Sequence, residues 1–156
     1  MPNVQSTYTE NMRVAVEGQR ANMEPVKLIS RSVEDVAGLG FGIVVQQGAT
    51  DKGCTADLNT SAMDVFKFLG VTVRERGVNP ETPNGWAKGE SALIMREGCI
   101  WVAVDGAVAA GNDVTVTLAT GKLGTKAVAA GIIQLPNARW GTSAADLGLA
   151  QLRLWY

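Results

Sequence analysis

Nucleophile activation in enzymes usually needs an imidazole, and this 156-residue chain has no histidine. Ser–His and Cys–His pairs are therefore unavailable, as is the commonest metal ligand. Two carboxylates can still hydrolyse a glycosidic bond when they face each other across a cleft. Asp105 and Asp113 are the candidates, yet they sit in Asp-Gly and Gly-Asn-Asp contexts. Acidic side chains there usually serve the turn by bonding nearby backbone. Gly38-Leu-Gly-Phe-Gly42 lacks GxxxxGK[ST] or GxGxxG spacing, and no helical pattern follows it to offer amides to a phosphate. These residues lead us to expect no catalytic residue, no metal site and no cofactor.

One covalent carrier function has to be considered. Asp105 to Val114 is a turn, a small-residue run and a second turn, an arrangement also found in β domains that carry lipoyl or biotinyl groups on a hairpin lysine. The nearest lysine, Lys122 in Thr-Gly-Lys-Leu-Gly, has no flanking Met and no matching acidic residue, so the carrier reading fails. Cys54 and Cys99 form no CxxC pattern, and free, buried thiols in a reducing cytoplasm are expected. The net charge is −1 with basic residues scattered singly, whereas binding phosphates takes a clustered basic footprint. Nucleic acid is therefore not an expected partner. Nor is a membrane, because no apolar run approaches the roughly 18 residues a span requires. The first residues lack the basic start and apolar stretch of a signal peptide.

The elements that would position any functional surface read as strands. Cys99-Ile-Trp-Val-Ala-Val104 places Ile100, Val102 and Val104 on one face and Cys99, Trp101 and Ala103 on the other. Both faces are apolar, which predicts cover on both sides, by a core and by a second layer or subunit. Val114 to Leu118 alternates with threonines, Gly131 to Leu135 is a further strand, and Ala150, Leu152, Leu154 and Tyr156 share a face in the last segment. Asp105-Gly106, Thr120-Gly121-Lys122 and Leu123-Gly124-Thr125 read as turns. Earlier, Leu39 to Gln47 reads as one strand, and Val65 to Glu75 as another with a bulge at Gly70. Ser61–Phe66 and Ser143–Leu147 read as short helical turns. Closely spaced short strands with no sustained helical stripe predict an all-β fold: a compact antiparallel β-sandwich, jelly-roll-like or barrel-like domain. At this length one domain buries roughly 70% of its unfolded surface, enough for a core without staples.

Two segments stand outside that body. Residues 1–26 contain one short alternating piece, Met12, Val14 and Val16, and read as an extended N-terminal arm before a single β-domain over 27–156. A frayed end with one edge strand is the alternative. Val78 to Lys88 carries two prolines, a glycine and Trp86, which rules out a central strand. Tryptophans in loops and on second strand faces favour protein interfaces. The candidate contact residues are therefore Met12, Val14, Val16, Trp86 and Trp155, with Trp101 assigned to core or intersubunit packing.

Several stretches, in order, resemble a known family. Ala15-Val-Glu-Gly-Gln19, Ser30-Arg-Ser-Val-Glu34 and Gly40-Phe-Gly-Ile-Val-Val45 are similar to the first half of the structural cement, or capsid decoration, proteins of tailed bacteriophages. Gly70-Val-Thr-Val73, Gly98-Cys-Ile-Trp-Val102, Thr142-Ser-Ala144 and Leu149-Ala-Gln-Leu-Arg-Leu154 are similar to the second. The similarity covers roughly residues 12 to 155; one departure is Gly111-Asn-Asp113, a residue longer than the family's Gly-Asp turn. The resemblance implies a non-enzymatic virion protein without cofactor. It would be assembled in the host cytoplasm and seated as a homotrimer on the capsid exterior, against the major capsid protein. Competing readings are a tail or head-completion protein of the same architecture, a carbohydrate-binding β-sandwich with Trp86 as a stacking platform, and a carboxylate hydrolase.

Overall fold

The computed structural model describes residues 13–58, 67–74 and 84–155. Its strands are β1 (Lys27–Val33), β2 (Leu39–Gly40), β3 (Val44–Gln47), β4 (Gly53–Thr55), β5 (Phe68–Thr72) and β6 (Gly85–Trp86). There follow β7 (Ser91–Ala103), β8 (Asp113–Thr117), β9 (Lys122–Gly124), β10 (Ile132–Trp140) and β11 (Leu149–Leu154). No helix occurs among the described residues, so the all-β expectation holds.

The pairings form two rings. In the first, β1 pairs with β4, β4 with β3, β3 with β5, β5 with β7, and β7 returns to β1. In the second, β7 continues through β11, β10 and β8 to β9. A parallel bridge between Val104 and Leu123 closes it, with the Asp105 N–H donating to the Leu123 carbonyl at 2.7 Å. The outcome is barrel-like: two closed rings fused along the 13-residue strand β7. Closure leaves few raw edges for unwanted pairing.

One strand can serve both rings because its inward face changes partway. Ala92 and Ile94 enter the core of the first ring, with Val33, Phe41, Val45, Cys54 and Trp86. Met95, and then Ile100, Val102 and Val104, enter the larger core with Val114, Val116, Leu135, Trp140 and Leu152. Even positions thus face the first core at Ala92 and Ile94 but the larger one from Ile100 onward, and the larger core passes from odd Met95 to even Ile100, which needs one extra residue. Lys27 lies opposite Glu97 but Leu28 opposite Met95, so Arg96 is that residue. Gly98, at φ 127°, follows at once, and a Cβ there would lie 2.6 Å from Cγ1 of Val26. Burying each large apolar side chain contributes roughly 1.5–3 kcal/mol, so a one-residue slip would put several such terms at risk.

The late strands match the alternation read from sequence, with Ala150, Leu152 and Leu154 buried and Arg153 and Trp155 exposed. The bulge at Gly70 is also present: Val45 opposes Gly70 while Gln46 opposes Phe68. Other readings are corrected. The segment Leu39 to Gln47 is two strands, broken where Gly42 turns into the left-handed region at φ 69°. Lys122 to Gly124 is strand β9, because Thr115 to Thr117 give it a ladder. Ser143–Leu147 is an extended bridge and turn, since Ala144 and Val108 exchange backbone bonds at 2.9 and 3.0 Å. Strands β1 and β4 were not anticipated. Ser61–Phe66 lies outside the described residues.

Ahead of β1, residues 18–21 run antiparallel beside the second half of β7. The Gly18 N–H donates to the Trp101 carbonyl, the Trp101 N–H to Gln19, and the Ala21 N–H to Cys99, at 2.8 to 2.9 Å. Gly18 has φ 77°, and a Cβ on it would lie 2.8 Å from the Phe41 Cβ, 2.9 Å from the Gly42 nitrogen and 3.0 Å from the Arg74 nitrogen. Gly89 has a similar φ of 85° but meets nothing within 4 Å. Replacing Gly89 with alanine therefore tests left-handed strain alone, expected at about 1–2 kcal/mol. Gly18→Ala adds the crowding and should cost about 3 kcal/mol or more in urea unfolding; equal costs would contradict this packing.

Candidate interaction surfaces

The two carboxylates considered for chemistry are held in ion pairs. Asp105 accepts from Lys126 Nζ at 2.5 Å, which holds its carboxyl below the ordinary value. Asp113 pairs with Arg139, and all four side chains are partly exposed on the surface of the second ring. Lys122 lies within β9, its backbone in the ladder opposite Thr117. Both cysteines are free and buried, as expected. Burial, followed by the Asp35 and Glu34 carboxylates, pushes the Cys54 thiol up to about 11. Cys99 is raised by burial and by its 3.5 Å hydrogen bond to Glu24 Oε2.

The motif residues turn out to be architectural. The Glu34 carboxylate accepts from the Ala49 N–H at 2.7 Å, the Thr50 N–H at 2.9 Å and the Thr50 hydroxyl at 2.6 Å. It thereby ties the end of β1 to the turn between β3 and β4, and these donors hold its pKa below the ordinary 4.5. Gly18 and Gly42 cross at van der Waals limit, since a Cβ on either would meet the backbone nitrogen of the other or its neighbour at 2.9 Å. Arg74 joins the same knot: its Nε donates to the Glu17 carbonyl at 3.1 Å and its guanidinium lies 4.4 Å from the Phe41 ring centroid. Phe41 in turn meets Trp86 edge-on, with centroids 4.8 Å apart.

That geometry corrects one expectation. Trp86 is only 5% exposed and belongs to the core of the first ring, so its ring offers no platform to a ligand. It pairs through β6 with Leu39 of β2, which draws it inward from what reads as a loop. Of the other candidate contacts, Val14 is 86% exposed, Val16 is half-buried, Trp155 is 42% exposed, and Met12 lies outside the described residues. Among the described residues, burial thus sets Trp86 apart from the exposed Val14 and Trp155. Trp101 is half-buried beside Gly18 to Ala21.

A further surface was not foreseen. Residues 22–26 leave β7 between Cys99 and Glu97 as a short excursion. Its tip, Met23, is fully exposed at 100%. The excursion is fixed at both ends. Asn22 Oδ1 accepts the Glu24 N–H at 3.2 Å, Glu24 reaches Arg153 at 3.6 Å, and Val26 packs on the larger core. Beside it stands Trp155, with a groove of about 350 Å³ on one side and one of about 270 Å³ on the other. The only sequence signal was a methionine stranded among polar residues just before Pro25.

Two closed rings fused along β7 define an all-β, barrel-like protein. The chain belongs to the phage structural cement proteins: the family model described as "Structural cement protein (E217 gp24/Pam3 gp6)" matches residues 4–154. Its role is accordingly that of a capsid-associated structural protein, and the family implies no catalysis. A solved chain titled "The capsid of Myoviridae Phage XM1" shares the fold at a TM-score of 0.74 and 17% identity, covering 99% of this chain and 98% of that one. No curated protein matches.

Two predictions follow from the buried thiols and from Glu34. A disulfide-exchange reagent at pH 7.5 should label neither cysteine rapidly in the native protein and both after denaturation, because the thiolate is the reactive form. Glu34→Gln should lower the melting temperature by a few degrees at pH 7. Because the folded pKa lies below the ordinary 4.5, the stability Glu34 contributes is present above that value and is lost as pH falls through the folded one. The mutant should therefore show a weaker pH dependence than wild type in that acid window, read by thermal unfolding from pH 6 to pH 3.

Proposed function

We propose that the protein seats on the outer face of a phage capsid as a homotrimer and stabilises the shell by bridging major capsid protein subunits. The observation that carries this reading is where the spare apolar surface lies. Val14, Met23 and Leu147 are 86%, 100% and 76% exposed, on turns and ends of a closed body. Side chains of that kind suit adhesion to other proteins better than capture of a small molecule. A trimer multiplies weak contacts into firm attachment, and its symmetry suits the local threefold positions of a shell. The dispersed charge of −1 gives no electrostatic reason to bind nucleic acid. No described helix is long and apolar enough to cross a membrane.

The N-terminal arm has a narrower part in this scheme than the sequence implied. Because Gly18 to Ala21 already pair with β7 of their own chain, the stretch left to add to a sheet edge on another subunit or the shell lies ahead of Ala15, including Met12 and Val14. The buried Trp86 leaves a glycan-binding reading without its platform.

Purified protein should bind capsids that lack it and make them harder to disrupt by heat or chelator; failure to co-sediment would overturn the proposal. Deleting residues 2–14 should lower occupancy while the circular dichroism spectrum and melting temperature stay near wild type. Deleting 2–24 should also destabilise the body, since it strips Gly18 to Ala21 from β7. In labelled virions the protein should decorate the shell in many copies; a signal confined to the tail or neck would assign it elsewhere.

A further inference from the structure

We infer that Arg74 is a positioning residue for the N-terminal arm: it fixes the turn from which the arm leaves the body, and so the direction in which the arm is offered. The inference rests on the proposed docking of the arm and names the group that aims it. Val16 to Gln19 is a tight turn, with the Gln19 N–H donating to the Val16 carbonyl at 3.1 Å. Gly18 stands third in it at φ 77°, while Glu17 has no positive φ, which makes the turn type II. The chain therefore doubles back here. Residues ahead of Val16 do not continue the line that Gly18 to Ala21 follow along β7.

Type I and type II turns differ chiefly by a flip of the central peptide, here the one joining Glu17 to Gly18. Its carbonyl belongs to Glu17, and Arg74 Nε donates to that oxygen at 3.1 Å. The Arg74 backbone N–H holds the next carbonyl, that of Gly18, at 2.7 Å. One residue thus grips two successive carbonyls, and a flipped peptide would break the side-chain bond. The guanidinium is itself held 4.4 Å from the Phe41 ring centroid, and Phe41 is buried edge-on against Trp86. A charged donor gives a stronger bond than a neutral one.

The flanking contacts show where the fixed part ends. Gln19 closes the turn from its own side chain, Oε1 accepting the Val16 N–H at 3.2 Å. Gly42 passes close by: a Cβ on it would lie 3.3 Å from that of Glu17. Ala15 is 6% exposed and Val14 is 86% exposed. The chain is therefore rooted as far as Ala15 and leaves the body at Val14. A tether with a fixed root searches less volume than one that pivots, which lowers the ordering entropy lost when it docks.

The test compares two neutral side chains of similar length at position 74 in the full chain. In Arg74→Gln the amide nitrogen takes the place of Nε and keeps the donor, whereas Arg74→Met keeps the length and loses it. Both should melt within a few degrees of wild type, since Arg74 is exposed. The Gln19 amide should exchange about tenfold faster in Arg74→Met, the order expected for one lost hydrogen bond, and near the wild-type rate in Arg74→Gln. Nitroxide labels at the exposed positions 14 and 147 should give a broader distance distribution in Arg74→Met alone. Capsid occupancy, read by co-sedimentation, should fall several-fold in Arg74→Met and hold in Arg74→Gln. With residues 2–14 deleted the two forms should bind alike, because the tether they aim differently is gone; a merely structural Arg74 would weaken binding equally in both backgrounds. Unchanged exchange and label distances in Arg74→Met would overturn the inference, and so would equal losses of occupancy in the full and truncated chains. Wild type that shows the exchange and distance pattern but never binds capsids would instead sink the proposed function, with control of the arm by Arg74 intact.

Discussion

The strand β7 has to satisfy two cores at once, and the rest of the molecule is arranged around that demand. Its first half faces a core with Phe41 and Trp86, its second half a core with Trp140 and Leu152. Even-numbered residues face the first core at Ala92 and Ile94 and the second at Ile100, Val102 and Val104, whereas in a regular strand alternate residues keep to one side. The extra residue at Arg96 and the glycine at 98 change the phase. Everything beside that point adapts: β1 stops at Lys27, the chain ahead of it bows outward over residues 22–26, and pairing resumes at Ala21.

The same irregularity produces the surface features with functional interest. Because the chain bows out at Gly98, Met23 is carried clear of the body and Glu24 is delivered to Arg153 and Cys99. Arg153 stands directly opposite Arg139 across the β10–β11 pair. Like charges in that position are unfavourable, and each arginine has its own carboxylate, Glu24 for one and Asp113 for the other. Packing in the interior and charge placement outside are thus two results of one bulge.

Much of the second ring was legible because its strands obey a simple rule. Val114, Val116, Leu152 and Leu154 alternate with polar residues, and each is buried. The first ring resisted the same reading for identifiable reasons. Strand β1, Lys-Leu-Ile-Ser-Arg-Ser-Val, has Leu28 packing on one core and Ile29 on the other, which erases the period-two pattern. Strand β4 has three residues, too few to show a period. Trp86 looked like a loop residue because its strand has only two residues and is paired with one equally short. The ordered motifs around Gly18, Glu34 and Phe41-Gly42 pointed to the family, but their reason for being there is visible only in three dimensions, where Gly18 and Gly42 cross and Glu34 pins a turn. Met23 had no legible role at all: nothing in a sequence marks where a bulge on another strand will push the chain outward.

The shared strand also orders events during synthesis. Every strand of the second ring lies from residue 91 onward, so that ring is contiguous along the chain, whereas the first cannot close without β7. Gly18 must wait for Trp101, and β1, beyond its short parallel pairing with β4, must wait for Ser91 to Glu97 before its antiparallel ladder forms. An N-terminal portion emerging alone from a ribosome would hold β1, β4, β3 and β5 as an open sheet with exposed edges. Such intermediates are prone to associate wrongly, and long-range closure of this kind is slow. The chain's vulnerable interval is therefore the one in which its first half has been made and its central strand has not.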